Sequence, residues 1–383
     1  MVQAVRRGAS RRTVARAQHV SLCTVQRWVQ RATGQPLNRI DWEDRSHATR
    51  HPGRTAEALE VLVMSLRQEL RATSALGDYG ADAIHRTLLD RGARDVPVVR
   101  TIHRILERRG ALDGTRRIRR VPPPPGWYLP EVATGRAELD SFDFVEGLVI
   151  QGGPHVEVLT GVSLHGGLIG SWPGPIFTAA ATMATILTHW RAVGLPDYAQ
   201  FDNDTRFQGP HQHRDVVSRV MRLCLNLGVT PVFAPPREHG FQNAIENLNG
   251  RWQQKVWGRF HHESLTALQA CSDRFVAATR LRRAARVEAA PARPCVPATG
   301  HLDLQARPTG RVVFLRRTNE TGAVALLGHT FSLDTLWPHR LVRCEVQLDR
   351  GPIRFYRLRR RQPDDQPLIR EVSYALPVRR FKE

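Results

Sequence analysis

The spacing of apolar residues changes near residue 134, and this change limits the possible folds more than any other feature of the sequence. Before it, apolar side chains recur at helical spacing, as in Leu59, Leu62, Val63, Leu66 and Leu70. Beyond it, strand-like and helical runs follow in the order β-β-β-α-β-α-β-α, which predicts a mixed sheet flanked by helices. From about residue 310 the chain has short strand-like runs with period-two alternation, typical of a small barrel.

One hydrophobic core rarely serves 383 residues, so we expect a multidomain protein with helical N-terminal domains, an α/β core and a small all-β C-terminal barrel. The predicted segments are a helix-turn-helix domain at 1–50, a second helix-turn-helix domain at 51–115, a basic proline-rich linker at 116–133, the α/β core at 134–262, a helical connector at 263–300 and a β-barrel DNA-binding domain at 301–383.

The first segment has the pattern of a helix-turn-helix. Residues 10–17 predict a short helix, His19 and Val20 a turn, and Ser21 the N-cap of a second helix. An ordinary helical hairpin is the alternative. If the second helix enters a major groove, its polar face offers hydrogen-bond donors to base edges. The DNA-contacting candidates on that face are Thr24, Gln26, Arg27, Gln30 and Arg31.

The second segment repeats this plan. A turn at Gly92 and a helix start near Pro97 precede a last helix whose polar side carries Arg100 and Arg104, which we expect to contact DNA. The linker that follows is basic, and its arginines either follow a nucleic-acid backbone or are simply solvated. These arginines are Arg116, Arg117, Arg119 and Arg120.

Basic residues are concentrated at the two ends of the chain. The formal net charge is +20, of which residues 1–133 carry +11, residues 134–260 carry −1 and residues 261–383 carry +10. Only Lys255 and Lys382 are lysines among the 56 basic residues. Codon preference accounts for arginine over lysine, but not for the uneven distribution. Because guanidinium groups bind phosphate in a bidentate manner, we expect nucleic acid as the partner.

Several classes of protein are disfavoured. No apolar run reaches the roughly 18–20 residues of a membrane span, and residues 1–10 lack the apolar region of a signal peptide. The five cysteines are scattered and never form a Cys-x-x-Cys pair, which argues against a disulfide framework or a cysteine-based zinc site. We therefore expect a cytoplasmic, nucleoid-associated protein with no membrane partner.

Three acids occupy informative positions in the near-neutral middle. Asp140 lies in the first predicted strand, Asp202 ends the fourth, and Glu246 lies on the last helix. Three carboxylates brought together repel one another unless hard divalent cations bind between them. Two Mg²⁺ or Mn²⁺ ions roughly 3.5–4 Å apart would stabilise the attacking and leaving oxygens of a phosphoryl displacement. Taken singly, each acid also has an ordinary structural explanation as a turn or solvated helix residue.

The sequence around two of these acids resembles the integrase-type DDE transposases. Residues 201–207, Phe-Asp-Asn-Asp-Thr-Arg-Phe, are similar to that family's second-aspartate motif, and Asn243-Ala-Ile-Glu246 to its Asn-Gly-x-Glu signature. The resemblance implies an RNase H-like catalytic core with Asp202 and Glu246 as metal ligands. It also implies metal-dependent cleavage and strand transfer of DNA ends into target DNA, by a homo-oligomer on double-stranded DNA.

The chain departs from the family pattern in several places. Asp204 and Ala244 replace the usual glycines, and Ala137 replaces the usual tryptophan ahead of the first aspartate. Asp143 is therefore a rival to Asp140 for the first metal ligand. Because the two have opposite parity on a strand, we expect only one to face the metal, and motif spacing favours Asp140.

Other candidates have less support. His211, His213 and His239 are a possible metal set, but loop histidines beside carboxylates are more often surface groups; His239 is also a candidate for a phosphate contact. Arg237 and Lys255 flank the Glu246 helix, where they either hold the DNA backbone or are solvated.

Two functions are consistent with the sequence. The first is a DDE transposase that binds element ends and catalyses strand transfer. The alternative is a non-catalytic DNA-binding regulator derived from a transposase, which would keep the DNA-binding modules around an inactive core.

Overall fold

The structure, a computed structural model, describes residues 1–43, 55–112, 125–210, 212–238, 240–297, 302–349 and 351–378. The chain divides into two compact units, Met1–Leu59 and Glu60–Glu383. The linker arginines Arg116, Arg117, Arg119 and Arg120, and the histidines His211 and His239, lie outside the described residues.

The described residues of the first unit include α1 (Val2–Arg6), α2 (Arg11–Ala17) and α3 (Leu22–Arg31). Ser21 Oγ accepts a hydrogen bond from the backbone N–H of Thr24 (3.1 Å), which caps α3. His19 has φ 51°, the left-handed conformation that makes the tight turn between α2 and α3. Val25 of α3 is fully buried. These elements confirm the predicted helix, turn and capped second helix.

Three more helices follow, most of them in the second unit: α4 (Glu57–Thr73), α5 (Ala81–Asp90) and α6 (Val99–Arg108). Their shared core includes Val63, Ile84 and Ile102, each with no exposed surface. Gly92, at φ 65°, ends α5, as the predicted turn requires. The second predicted helix-turn-helix therefore has the expected helical elements.

A mixed sheet with helices on both faces forms the middle of the second unit. After the short helix α7 (Pro130–Ala133), its elements are β1 (Leu139–Val149), β2 (His155–Ser163), β3 (Ile169–Gly174), α8 (Ala179–Val193), β4 (Tyr198–Phe201), α9 (Thr205–Gln208), α10 (Arg219–Asn226), β5 (Thr230–Phe233), α11 (Asn243–Trp252), a π-helical turn (Gln253–Trp257), α12 (Leu265–Arg282) and α13 (Ala284–Glu288). Strands β1, β2 and β3 are antiparallel, whereas β1, β4 and β5 run parallel. The predicted order of strands and helices is confirmed.

The C-terminal part contains β6 (Arg311–Arg317), β7 (Ala323–Leu326), β8 (His329–Ser332), β9 (Leu341–Gln347), β10 (Pro352–Arg357) and β11 (Leu368–Ser373). Strand β6 pairs with β5, so the sheet has nine strands in the order β11-β10-β9-β6-β5-β4-β1-β2-β3, with β7 and β8 as a separate pair. The prediction of a free-standing barrel is therefore wrong, because β6 pairs with β5 of the central sheet. Without β6, β5 would be an edge with unpaired backbone groups, and β6 satisfies them.

The core lies on both faces of the sheet. On one face, Phe142 and Phe201 stack (5.8 Å between ring centroids) and pack beside Trp190 of α8. On the other, Trp252 and Phe275, from α11 and α12, pack against β1 and β2.

Within the described ranges, none of the helices combines the length and apolar character needed to cross a membrane. By the order of its elements, the molecule is a mixed α/β protein with N-terminal helices and a C-terminal extension of its sheet.

Candidate active site

The pairing of β1 with β4 determines which acids come together. In this parallel pair Asp140 lies opposite Ala199, and Ser141 opposite Gln200. If this register is continued by two residues, Asp143 in the middle of β1 comes level with Asp202, just after the end of β4, and the charge of Asp202 does act on Asp143. Side chains alternate along a strand, so Asp140 and Asp143 point to opposite faces of the sheet.

Asp140 faces α8 and is neutralised within the protein. Its carboxylate is 1% exposed, and Arg293 binds both oxygens, at 2.9 Å to Oδ1 and 2.7 Å to Oδ2. Trp190 Nε1 donates a further hydrogen bond to Oδ2 (3.0 Å). A buried carboxylate held by a bidentate guanidinium is a structural ion pair. The pairing with Arg293, on the face away from α11 and Glu246, argues against the predicted role of Asp140 as the first metal ligand.

Asp143 faces α11 and meets other acids. Burial, followed by the negative charges of Asp202, Glu146 and Glu246, raises the pKa of Asp143 to about 7. Burial is also the main reason that the pKa of Asp202 is raised. Two of the predicted carboxylates, Asp202 and Glu246, therefore lie close enough to the rival Asp143 for their charges to affect its pKa.

A polar chain fixes Asp143 relative to α11. Asn249 Nδ2 donates to Asp143 Oδ2 (2.8 Å), and Asn249 Oδ1 accepts from Thr160 Oγ1 (2.7 Å). Asn249 lies three residues after Glu246, so both residues are on the same face of α11. The amide thus ties the helix that carries Glu246 to the strand that carries Asp143.

Arg206 balances the acids at the rim of the site. Its guanidinium binds Asp204 (2.6 Å), Glu157 (2.9 Å) and Glu146, and lies 3.7 Å from the ring centroid of Phe144. Asp204 also caps α9 by accepting from the backbone N–H of Arg206 (2.7 Å). The aspartate that replaces the usual glycine of the motif therefore has a structural role, which explains this departure.

The carboxylates fit a divalent cation by their chemistry. Carboxylate and amide oxygens are the donors that Mg²⁺ and Mn²⁺ prefer, and mutual repulsion of the kind that raises the pKa of Asp143 is relieved by a cation. In the part of the chain that is described, no three His, Cys, Asp or Glu side chains stand at metal-ligating spacing. The chemistry of the carboxylates fits the metal, but among the described residues their oxygens do not converge on one position where an ion would bind.

Lys255 has an internal role that the sequence did not indicate. Its ammonium donates to the carbonyl of Gly77 (2.7 Å) and lies 5.4 Å from the ring centroid of Tyr79. Arg259, four residues on, donates to the carbonyl of Ala72 (2.9 Å) near the end of α4. Lys255 therefore ties the π-helical turn after α11 to the loop at Gly77 and Tyr79, which argues against both the predicted DNA contact and the solvated alternative.

The remaining DNA-binding candidates lie mostly on the surface. Gln26, Arg27 and Gln30 are exposed on α3, and Arg100 and Arg104 are exposed on α6. On the loop between β5 and α11, Arg237 is exposed in the left-handed conformation (φ 57°), and His213 is exposed on the loop before α10. Thr24 Oγ1 lies 2.8 Å from the Ser21 hydroxyl.

Arg31, the last of these candidates, binds Asp41 (2.7 Å) and the carbonyl of Glu43 (2.8 Å). Its guanidinium also lies 5.0 Å from the ring centroid of Trp28. A side chain held in this way stiffens the end of α3 and has fewer free donors for a base edge.

Sequence reasoning missed Asn249, Arg206 and Arg293. The three-residue spacing from Glu246 to Asn249 was a usable signal, because it puts both on one helix face. Arg206 was visible inside the aspartate motif itself. Arg293 had no local signal, since it lies 153 residues from the carboxylate that it neutralises.

Comparison with protein-family models finds no match, and no curated protein matches the sequence. Among solved structures, the catalytic core domain of BIV integrase matches 35% of this chain and 79% of its own, with 19% identity and a TM-score of 0.26. The HTLV-2 integrase catalytic core domain in complex with magnesium matches 36% of this chain and 82% of its own, with 12% identity and a TM-score of 0.26.

A larger match is to the simian T-cell lymphotropic virus intasome in complex with PP2A regulatory subunit B56 gamma. It covers 72% of this chain and 88% of the other, with 12% identity and a TM-score of 0.33. The three matches have sequence identities of 12–19% and TM-scores of 0.26–0.33, and no family is assigned.

Proposed function

We propose that this protein is a metal-dependent DNA transposase that cleaves element ends and transfers the strands into target DNA. The observation that supports this most directly is the set of acids around Asp143. The pKa of Asp143 is raised first by burial and then by the charges of Asp202, Glu146 and Glu246, and the β1–β4 pairing, continued by two residues, brings Asp143 level with Asp202. Such a gathering of carboxylates is unfavourable unless a ligand of opposite charge compensates it.

In this proposal Asp143, Asp202 and Glu246 hold one or two Mg²⁺ or Mn²⁺ ions, with Asp143 in place of Asp140. When bound, the ions would supply charge stabilisation to the attacking and leaving oxygens of the phosphodiester. Asn249 orients the Asp143 carboxylate through its 2.8 Å hydrogen bond. Asp143 must be ionised to serve as a ligand, so its pKa near 7 makes metal binding stronger as pH rises.

DNA recognition in this proposal belongs to the helical regions. The exposed donors of α3 (Gln26, Arg27 and Gln30) and the exposed arginines of α6 (Arg100 and Arg104) suit a major groove and its flanking phosphates. Joining two element ends to one target requires two active sites, so we propose an oligomer assembled on DNA.

The test is strand cleavage and transfer on DNA that carries the gene's own flanking sequence, with Mg²⁺ present. Glu246→Gln keeps the shape of the side chain and removes its charge. We expect the rate to fall by at least about 10²-fold, because a group that stabilises transition-state charge is lost, while binding of the same DNA is retained. Glu263→Gln, at an exposed glutamate before α12, is the matched control and should leave the rate unchanged.

Two outcomes would contradict the proposal. If Glu246→Gln transfers strands at the wild-type rate, the carboxylates are not the catalytic groups. If the wild-type protein binds the flanking DNA but neither cleaves nor transfers it with Mg²⁺ or Mn²⁺, the non-catalytic regulator becomes the better interpretation.

A further inference from the structure

A cavity of about 880 Å³ lies between the C-terminal strands and the loop that follows β5. This volume is within the usual range for ligand sites, roughly 300–1,000 Å³. Such sites are mostly apolar, but this one has a single carboxylate, Glu238, and five arginines among its lining residues. We call it the arginine cavity; its arginines are Arg317, Arg340, Arg359, Arg360 and Arg361.

Internal acids neutralise only part of the charge in the arginine cavity. Arg317 forms an ion pair with Glu238, and Arg360 lies 3.8 Å from the same carboxylate. Arg359 binds Asp365 (2.7 Å). Arg317, Arg359 and Arg360 are therefore each near a carboxylate of the protein, and any excess of positive charge comes from the other two arginines.

Arg340 and Arg361 account for that excess. Across the described ranges, neither guanidinium has a carboxylate within ion-pair distance. Arg361 is exposed, and Arg340 is exposed beside Trp337. Gathering like charges costs free energy, and an anion bound between them would recover it.

Trp337 organises the guanidiniums of this region. Its indole ring centroid lies 5.8 Å from the guanidinium of Arg340, 5.4 Å from that of Arg359 and 5.0 Å from that of Arg357. The indole N–H donates to the carbonyl of Leu341 (3.2 Å), which fixes the ring. Cation–π contacts of this length hold arginines near one another without using their N–H donors. Arg357 and Arg359 also bind Asp334 and Asp365, so it is the guanidinium of Arg340 whose donors remain available to an anion.

The arginine cavity borders the chain segment that leads to Glu246. Its lining residue Glu238 lies on the loop between β5 and α11, and Arg360 lies 5.0 Å from the ring centroid of Phe241, two residues before α11 begins. The cavity and the candidate active site are therefore adjacent along the β5–α11 segment.

We infer that the arginine cavity binds the phosphate backbone of a DNA strand, at a site separate from the carboxylates. The inference rests on the proposed function, because it takes DNA as the substrate. A polyanion with regularly spaced phosphates matches a cavity in which Arg340 and Arg361 are exposed and have no carboxylate at ion-pair distance among the described residues. Because the arginines would contact the phosphates of DNA and not its bases, the site would bind DNA without preference for sequence.

The test is a fluorescence anisotropy titration of a labelled DNA duplex of about 30 base pairs and arbitrary sequence, in EDTA, between about 50 and 200 mM salt. The double variant Arg340→Ala/Arg361→Ala should bind roughly 30-fold more weakly. It should also lose about two units from the slope of log affinity against log salt, because each phosphate contact contributes about 0.9. Thermal melting of each variant establishes that it is folded.

Arg354→Ala/Arg370→Ala is the matched control, since it removes the same charge from β10 and β11 outside the cavity. It should leave the salt slope unchanged. Arg340→Lys/Arg361→Lys keeps the charge and should retain most of the binding. If the alanine double variant binds as the control does, or if the lysine variant is as weak as the alanine variant, the inference is overturned.

Inorganic tripolyphosphate distinguishes a DNA site from a site for small polyphosphates. DNA is supported as the ligand if tripolyphosphate displaces the duplex only when its phosphate concentration greatly exceeds that of the DNA. Displacement at equal phosphate concentrations overturns it. Because the titration contains EDTA, it is independent of catalysis: Glu246→Gln should bind the duplex as the wild type does, so the cavity and the proposed activity can fail separately.

Discussion

Among the carboxylates of strand β1, Asp140 and Asp143 are three residues apart and have opposite surroundings. Asp140 is enclosed on the α8 face, where Arg293 binds both of its oxygens. Asp143 lies on the α11 face, where its charged neighbours are the acids Asp202, Glu146 and Glu246. An aspartate on this strand is thus neutralised by an arginine on one face of the sheet, and an aspartate is repelled by neighbouring carboxylates on the other.

The comparison shows that residue type and strand position do not determine the role of a buried acid. An acid whose counter-charge comes from the protein contributes to the fold, whereas an acid crowded by other acids has affinity left for an external cation. The proposal that Asp143 belongs to the active site therefore depends on what surrounds each carboxylate. Each of the following experiments tests this difference.

The largest expected effect is on catalysis. Asp143→Asn should lower single-turnover cleavage with Mg²⁺ by about 10²–10³-fold, because an anionic metal ligand becomes a neutral amide. Asp140→Asn, assayed at a temperature at which it remains folded, should keep the rate within about tenfold of the wild type. A loss of cleavage in Asp140→Asn alone would reverse the assignment of the two acids.

The next effect is on stability. Asp140→Asn leaves the Arg293 cation buried without its partner, so we expect the free energy of unfolding to fall by about 3 kcal/mol. Urea denaturation followed by tryptophan fluorescence measures this. The double variant Asp140→Asn/Arg293→Met removes both charges and should recover part of the loss. Equal stability of Asp140→Asn and the wild type would show that the ion pair does not stabilise the fold.

The smallest effect is a pH dependence that only Asp143 should produce. Its pKa in the folded protein, about 7, lies above its usual value of 3.8, so the folded state keeps a proton that the unfolded state has lost. The resulting stability is complete below about pH 4 and disappears as the pH rises through 7. Without metal, wild type should therefore lose about 2 kcal/mol relative to Asp143→Asn between pH 5 and pH 8. Parallel pH profiles for the two proteins would contradict the raised pKa.

Much of the fold could be predicted because local interactions specify it. The Ser21 cap, the turn at His19 and the helices on either side depend on residues within one or two turns, and the sequence displays them directly. The alternation of strands and helices after residue 134 was equally readable. Residues 201–207 and 243–246 also indicated the end of β4 and the helix α11, which carry Asp202 and Glu246.

Other features depended on pairings between distant segments. The sequence showed that Asp140 and Asp143 point to opposite faces, but not which face receives α11 and Glu246. That depends on the register of β1 against β4 and on the packing of α11 across them. The docking of Lys255 on Gly77 likewise joins residues 178 apart, and a charge pattern alone cannot distinguish an internal contact from a DNA contact.

The sequence by itself therefore determined the elements, the basic ends of the chain and a short set of candidate acids, because propensity, periodicity and charge are carried by neighbouring residues. Only the tertiary structure decided which carboxylate has its cation inside the protein, and that β6 continues the central sheet at β5 instead of starting a separate barrel. The physical reason is that ion pairs and strand pairing are set by distances in space, and Arg293 reaches Asp140 only after the chain has folded.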